Sequence, residues 1–233
     1  MDFTPLILAG GKSTRMGSPK HLLPMPDGRP LYQHQIELLH RALPSAPAIY
    51  VSLAQDSQLD PYLESLTPPR TTANPTGPSP PTYHPKPSLP PHLRISLLRD
   101  LAPNLSPTSS AGPAAGLLAA LHARPAATWL VVPCDHPFLN PAALRRLCHA
   151  YQPPVTCFRN PDGFREPLIG VWSAAALRRL RDRVVESAAS TGAGAGAGAG
   201  VGNGGRGCGP SRIVRELEGR EVTLDEAEGE GRC

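Results

Sequence analysis

Two of the three lysines in this 233-residue chain, Lys12 and Lys20, fall in one short segment that also holds Arg15, against twenty arginines in the chain as a whole. The segment reads Gly10-Gly11-Lys12-Ser13-Thr14-Arg15-Met16-Gly17-Ser18-Pro19-Lys20 and follows directly on an apolar run, Leu6-Ile7-Leu8-Ala9. Adjacent glycines let a turn present bare backbone N–H groups at close range, and three cations around them add positive charge. Such a loop suits a polyphosphate. Taken alone, the same residues also fit an ordinary glycine-rich turn with solvated charges. Spacing excludes two familiar phosphate loops. A Walker A loop needs a glycine where this chain has Leu6, and no G-x-G-x-x-G follows the apolar run.

A second chemical group stands far along the chain. Thr128 to Val132 is a short, uninterrupted apolar run, the mark of a strand buried on both faces, and it ends in Pro133-Cys134-Asp135-His136-Pro137. In open α/β sheets ligands bind at the carboxyl edge, so Asp135 and the glycine loop would face one crevice. Basic groups on one side and an acidic metal ligand on the other suit a magnesium–nucleotide complex. By itself Asp135 reads equally well as a helix cap or turn residue. His136 adjoins it as a nominal base or ligand, Cys134 reads as a small packing residue, and His21 as a helix-side or surface group.

The elements that must position these groups alternate between strand-like and helix-like patterns, which predicts an α/β fold with crossover connections and a mostly parallel central sheet. Strands are expected near Thr4 to Ala9, Ala48 to Leu53, Arg94 to Leu98 and Thr128 to Val132, and helices over Leu31 to Leu43, Gly112 to Ala123 and Pro141 to Ala150. The third strand runs out into Arg99-Asp100, and Gly112-Pro113-Ala114-Ala115-Gly116 opens the helix that follows, with proline near its first turn. Residues 67–93 are dense in proline without hydrophobic periodicity, and 189–210 carry Gly-Ala repeats too small to build a core. The expected organisation is one domain over 1–187 with the proline-rich insertion, a low-complexity segment over 189–210, and a helix or strand remnant with an acidic tail over 211–233.

Composition narrows the partners. A formal charge of +4, arginines dispersed or on helix faces, and 5% aromatic residues argue against nucleic-acid binding. Five cysteines without a C-x-x-C pair argue against a disulfide framework or zinc cluster. No apolar run approaches the ~20 residues that span a bilayer, and the first strand starts too near the N-terminus to leave room for a leader. A cytoplasmic protein is expected; oligomeric state is not legible.

The string LAGGKSTRMGSPK resembles the signature L-A-G-G-x-S-x-R-M-G-x-x-K of the MobA-like nucleotidyltransferases, the molybdenum cofactor guanylyltransferase family. GPAAG (Gly112 to Gly116) is similar to that family's G-P-x-x-G segment, and PCDHP to its P-C-D-x-P motif, in the family's order. Arg165-Glu166-Pro167-Leu168-Ile169-Gly170-Val171-Trp172 looks like the segment that returns a strand toward the acceptor side. The resemblance implies a Rossmann-like three-layer domain that moves a nucleoside monophosphate from an NTP to a phosphate-bearing acceptor, molybdopterin in the family's own case, releasing pyrophosphate. It also implies the roles: Leu8, Ala9, Gly10, Gly11, Lys20, Asp100, Gly112 and Gly116 bind the nucleotide, Arg15 and Lys20 neutralise the transferred phosphate and the departing pyrophosphate, and Asp135 holds Mg2+, with Asp100 assisting the metal or holding the nucleotide. An acceptor phosphate is already anionic, so the chemistry needs no side-chain base and no catalytic role for His136. The double glycine at Gly10-Gly11 resembles guanylyl rather than cytidylyl transferases, pointing to GTP. The family's closing N-V-N-T-P-like segment has no counterpart in Arg220-Glu221-Val222-Thr223-Leu224-Asp225. The alternatives are a non-catalytic nucleotide-binding or regulatory protein, and a sugar-phosphate or cytidylyl-type transferase.

Overall fold

In the computed structural model, residues 1–10, 20–55, 57, 93–100, 112–192 and 209–223 are described. The apolar runs become strands and the periodic segments between them helices. In chain order these are β1 (Phe3–Leu8), a single 3-10 turn at Lys20–Leu22, α1 (Leu31–Ala42), β2 (Ala48–Leu53), β3 (Arg94–Arg99), α2 (Gly112–Ala123) and β4 (Thr128–Pro133). Then come α3 (Pro141–His149), β5 (Val155–Arg159), β6 (Arg165–Trp172), α4 (Ala174–Gly192), α5 (Pro210–Glu216) and β7 (Arg220–Thr223). The strands form one sheet in the order β3-β2-β1-β4-β6-β5-β7. The pairs β3–β2, β2–β1, β1–β4 and β5–β7 are parallel, and β6 runs antiparallel to both β4 and β5.

β6 runs the other way because a tight turn precedes it. Asn160 N donates to Phe164 O at 2.7 Å and Gly163 N to Asn160 O at 2.8 Å, closing a hairpin too short for the crossover that a parallel strand would require. Asn160-Pro161-Asp162-Gly163 is the turn signature that marks this hairpin in the sequence, with Gly163 at φ +83°.

Helices cover both faces, giving three layers. On one face α1 and α3 pack Tyr32, Ile36, Leu39, Leu144 and Leu147 against Ile7, Ile49, Val51 and Phe158. On the other, α2, α4 and α5 bring Leu117, Leu177, Leu180 and Ile213 onto Leu6, Trp129, Val131 and Trp172. β1 and β4, buried throughout except at their first residues, lie at the centre. Their register sets Leu8 beside both Ser52 and Pro133, so β1, β2 and β4 end level with one another. The helix after β4 starts cleanly: Asn140 Oδ1 accepts from Ala143 N at 2.7 Å, with Pro141 behind it.

Three features differ from the sequence reading. The helix or strand expected within 211–233 is a helix and a strand, α5 and β7, and both are built into the domain. β7 extends the sheet beside β5, and Ile213, Val214 and Val222 are buried in its two cores. Three apolar side chains behind a Gly/Ala stretch are too few to signal membership of a core. α4 continues to Gly192, past the expected start of low complexity at 189. His21 is buried rather than a surface group, its ring 6.5 Å from that of Tyr32. The proline-rich insertion, most of the Gly-Ala segment and the acidic tail lie outside the described residues.

Candidate functional site

At the carboxyl edge the ladder runs one residue past each of two strands: Ala9 N donates to Ser52 O at 2.8 Å and Asp100 N to Leu53 O at 2.9 Å. These bonds fix Gly10 and Asp100 side by side. Ser52 is fully buried, and its hydroxyl donates to Asp100 Oδ1 at 2.5 Å, while Gln55 Nε2 donates to the Asp100 carbonyl at 2.5 Å. Burial raises the Asp100 carboxyl above its ordinary value, against the pull of the Ser52 hydroxyl and the Arg99 charge. Only glycine allows this closeness. A methyl group on Gly10 would run into Asp100 Oδ2 and come within 3.2 Å of Ala54 N, and one on Gly116 would lie 2.7 Å from Leu8 Cδ2 and 2.8 Å from Ser52 Oγ. α2, which Gly112 opens at φ +57°, is thereby seated directly on the ends of β1 and β2.

The other side of β1 carries the charged pair. Cys134 N donates to Leu8 O at 3.0 Å, which places Asp135 just beyond the strand end. Lys20 Nζ, at the far end of the glycine loop, donates to Asp135 Oδ2 at 2.7 Å across 115 residues of chain. His136 Nδ1 lies 3.2 Å from Asp135 Oδ1. The His136 contact and then the Lys20 ammonium hold the Asp135 carboxyl well below the usual carboxylate range, despite partial burial. Asp135 in turn raises Lys20 and His136 above their ordinary values. α1 fixes this loop by its carbonyls: Gln35 Nε2 donates to His136 O at 2.9 Å, and His34 Nε2 lies 2.9 Å from Pro137 O. Cys134 is buried, and desolvation pushes its thiol up to about 12, as expected of a packing residue and not of a nucleophile.

Of the residues nominated from sequence, Leu8, Ala9, Gly10, Lys20, Asp100, Gly116 and Asp135 meet along this edge. Gly11, Lys12 and Arg15 lie outside the described residues. Sequence reasoning missed Ser52, Gln35 and His34. Two of them left a trace: Ser52 is a polar residue inside the apolar run Ala-Ile-Tyr-Val-Ser-Leu, and Gln35 sits on the buried face of α1. Asn160 and Glu166 were also unassigned. They form one wall of a pocket of about 560 Å3 whose other wall is Asp135 to Asn140. A cavity of about 690 Å3 between Phe3, Pro47, Arg124 and Thr128 lies at the amino edge, away from these groups.

No cluster of three metal-ligating side chains occurs among the described residues. A single carboxylate at the strand end is a donor of the kind magnesium accepts. Mg2+ keeps several waters and is held by one or two carboxylates together with substrate phosphates, and Asp135 is an ionised, half-exposed carboxylate of that kind. No described helix is long and apolar enough to cross a membrane.

Sheet order and level strand ends together define a Rossmann-like α/β domain with a mostly parallel sheet. Residues 5–195 match the MobA-like NTP transferase domain, and the chain belongs to that family. It is 32% identical over 189 residues to a probable molybdenum cofactor guanylyltransferase of Rhodopirellula baltica, covering 78% of this chain and 72% of that protein. It is 30% identical over 176 residues to a molybdenum cofactor biosynthesis bifunctional protein of Synechocystis, covering 74% of this chain but 40% of that longer one. The molybdopterin-guanine dinucleotide biosynthesis protein A of Archaeoglobus fulgidus shares the fold, with a TM-score of 0.53 at 16% identity over 96% of this chain and 85% of that one. So does a nucleotidyl transferase of Methanothermobacter, with a TM-score of 0.54 at 16% identity over 94% and 87% of the two chains.

Proposed function

We propose that this protein transfers GMP from GTP to a phosphate-bearing acceptor, of which molybdopterin is the first candidate, and releases pyrophosphate. The observation that carries this reading is the 2.7 Å approach of Lys20 Nζ to Asp135 Oδ2, which joins the end of the glycine loop to the end of the central strand. The name of one relative supports the guanylyl part, and the names of both support an acceptor in molybdenum cofactor synthesis.

An oxygen of the acceptor phosphate attacks the α-phosphorus of GTP, and the bond from that phosphorus to the β-phosphate oxygen breaks. The electron pair leaves with pyrophosphate. The attacking oxygen is anionic at neutral pH, so no proton has to be removed and His136 has no proton to take. What the chain supplies is position and charge. The Gly10 and Gly11 backbone and the wall of Ser52, Asp100 and Gly116 hold the nucleotide, and Lys20 and Arg15 face the charge that develops on the phosphates. Asp135 would hold Mg2+, which would supply neutralisation of phosphate charge.

Incubation with each of the four α-labelled NTPs and molybdopterin tests the reading. Labelled GMP on the acceptor, with one pyrophosphate per transfer and little product from CTP, is expected. Tight GTP binding without turnover on molybdopterin or any sugar phosphate would overturn it in favour of a regulatory nucleotide-binding role.

A further inference from the structure

α1 is tied to both halves of the charged pair. Its first residue donates backward, Leu31 N to Leu23 O at 2.9 Å, and Leu23 N donates to Lys20 O at 3.2 Å, so the turn that carries Lys20 hangs from the start of the helix. The chain between them is folded on itself. Met25 N donates to Arg29 O at 2.8 Å, Pro24 bridges to Pro30, and Arg29 Nη1 lies 2.5 Å from Glu37 Oε1, farther along the same helix. The same first turns of α1 reach the other half of the pair. Gln35 Nε2 donates to His136 O at 2.9 Å, and His34 Nε2 lies 2.9 Å from Pro137 O, a carbonyl that only accepts, so this nitrogen carries the proton. Lys20 and Asp135 thus hang from one stretch of helix, residues 31–35.

Folding alone gives little reason for an amide at position 35. Gln35 is fully buried, and its Oε1 has no hydrogen-bond partner among the described residues. Turning the amide over does not help, because Oε1 would then face His136 O, acceptor against acceptor. A buried acceptor left unpaired costs at least as much as an ordinary hydrogen bond contributes, so one bond made and one oxygen orphaned leave no net gain. An apolar side chain of the same length would carry neither. Nor can the ion pair set its own spacing, since both of its side chains are about two-fifths exposed. What places the carboxylate is the backbone next to it: α1 grips the carbonyls of 136 and 137 and leaves the Asp135 oxygens to Lys20 and His136.

We infer that Gln35, with His34 beside it, is a positioning residue: through the His136 and Pro137 carbonyls it sets the Asp135 carboxylate at the distance from Lys20 that one magnesium-bound triphosphate needs. The inference rests on the metal role proposed above for Asp135 and goes beyond it by assigning the spacing of the pair to α1. Without the Gln35 donor, the loop 135–137 loses its hold on the helix, and carboxylate and ammonium no longer face the same phosphates. The effect belongs to the metal-bound complex. In the absence of metal the nucleotide depends on Lys20 and not on Asp135, and Lys20 keeps its own tie to α1 through Leu23.

The test is calorimetric titration of the full chain with a non-hydrolysable GTP analogue, with and without Mg2+, with the thermal midpoint measured on the same samples. Gln35→Met keeps the length of the side chain and removes the donor together with the orphaned oxygen. It should leave the midpoint within about 3 °C. The metal-free affinity should stay within about twofold, while the affinity with Mg2+ falls about tenfold. In an Asp135→Asn background the same substitution should change the affinity with Mg2+ by no more than about twofold, because it acts through that carboxylate. His34→Met should weaken binding with Mg2+ several-fold, and His34→Gln, which offers an amide donor at similar reach, should restore it. Unchanged affinity with Mg2+ in Gln35→Met would overturn the inference, as would an equal loss with and without the metal or a loss undiminished in Asp135→Asn. Should Gln35→Met not fold, equal affinities in His34→Met and His34→Gln would overturn it instead. A wild-type chain that bound the analogue equally well with and without Mg2+ would sink the metal reading of Asp135, and this inference with it.

Discussion

An ion pair with both side chains about two-fifths exposed contributes ~0–1 kcal/mol to folding, and Lys20 and Asp135 are such a pair. Stability does not account for their meeting; under the proposed reading a magnesium-bound triphosphate does, with Lys20 facing its phosphates and Asp135 its metal. Asp135→Asn should therefore shift the thermal midpoint by no more than about 3 °C while lowering the transfer rate ~100-fold or more, measured by calorimetry and by pyrophosphate release. Asp100 makes the opposite trade. Burial raises its carboxyl, so the folded state disfavours the charged form, and stability falls as pH rises from the unfolded carboxylate value, about 3.9, through the higher folded value. Asp100→Asn removes that cost. The variant should be as stable as or more stable than wild type at pH 7, with the gap closing below about pH 4, and should bind GTP more weakly. A midpoint that falls at pH 7 would show that the Ser52 contact outweighs desolvation.

Among the elements, α2 has a seat on β1 and β2 that only glycine permits at position 116. Gly116→Ala places a methyl 2.7 Å from Leu8 Cδ2 and 2.8 Å from Ser52 Oγ, and overpacking of this degree costs roughly 1–3 kcal/mol. Denaturant unfolding should show that loss, and GTP affinity should fall with it because Ser52 and Asp100 shift together. Most elements were legible because their signals are local: the apolar runs at Leu6 and Thr128, the helical spacing from Leu31, the proline of Gly112-Pro113. The direction of β6 was not read, although Asn160-Pro161-Asp162-Gly163 announces a hairpin. In the candidate site, Lys20 was legible as a cation of the glycine-rich segment and Asp135 as a carboxylate at a strand end. Ser52, Gln35 and Glu166 were not, because their roles depend on which neighbour the sheet and helices bring beside them.

The whole molecule closes at its carboxyl end by contacts that no local pattern reveals. Ile213 is fully buried and Val222 nearly so, yet each lies in an element of seven residues or fewer. Ile213→Ala should cost about 2–5 kcal/mol as a buried large-to-small change, and removal of residues 209–233 should lower the thermal midpoint further by stripping β7 from β5. A truncated chain as stable as the full one would show that β7 adds nothing to the sheet. The same scale explains why the site sits where it does. Level ends of β1, β2 and β4 bring residues more than a hundred positions apart to one edge, as the carboxyl-edge rule for open α/β sheets requires.

Calorimetric titration of GTP into wild type, Lys20→Met, Asp135→Asn and the double variant, with and without Mg2+, tests the central claim that both groups act on one magnesium-bound triphosphate. With Mg2+ each single variant should lose about tenfold or more, and the double variant should lose clearly less than the product of the two; without Mg2+ the Asp135 variant should bind GTP as well as wild type or better. Strictly multiplicative losses, or an equal Asp135 effect with and without the metal, would contradict the account.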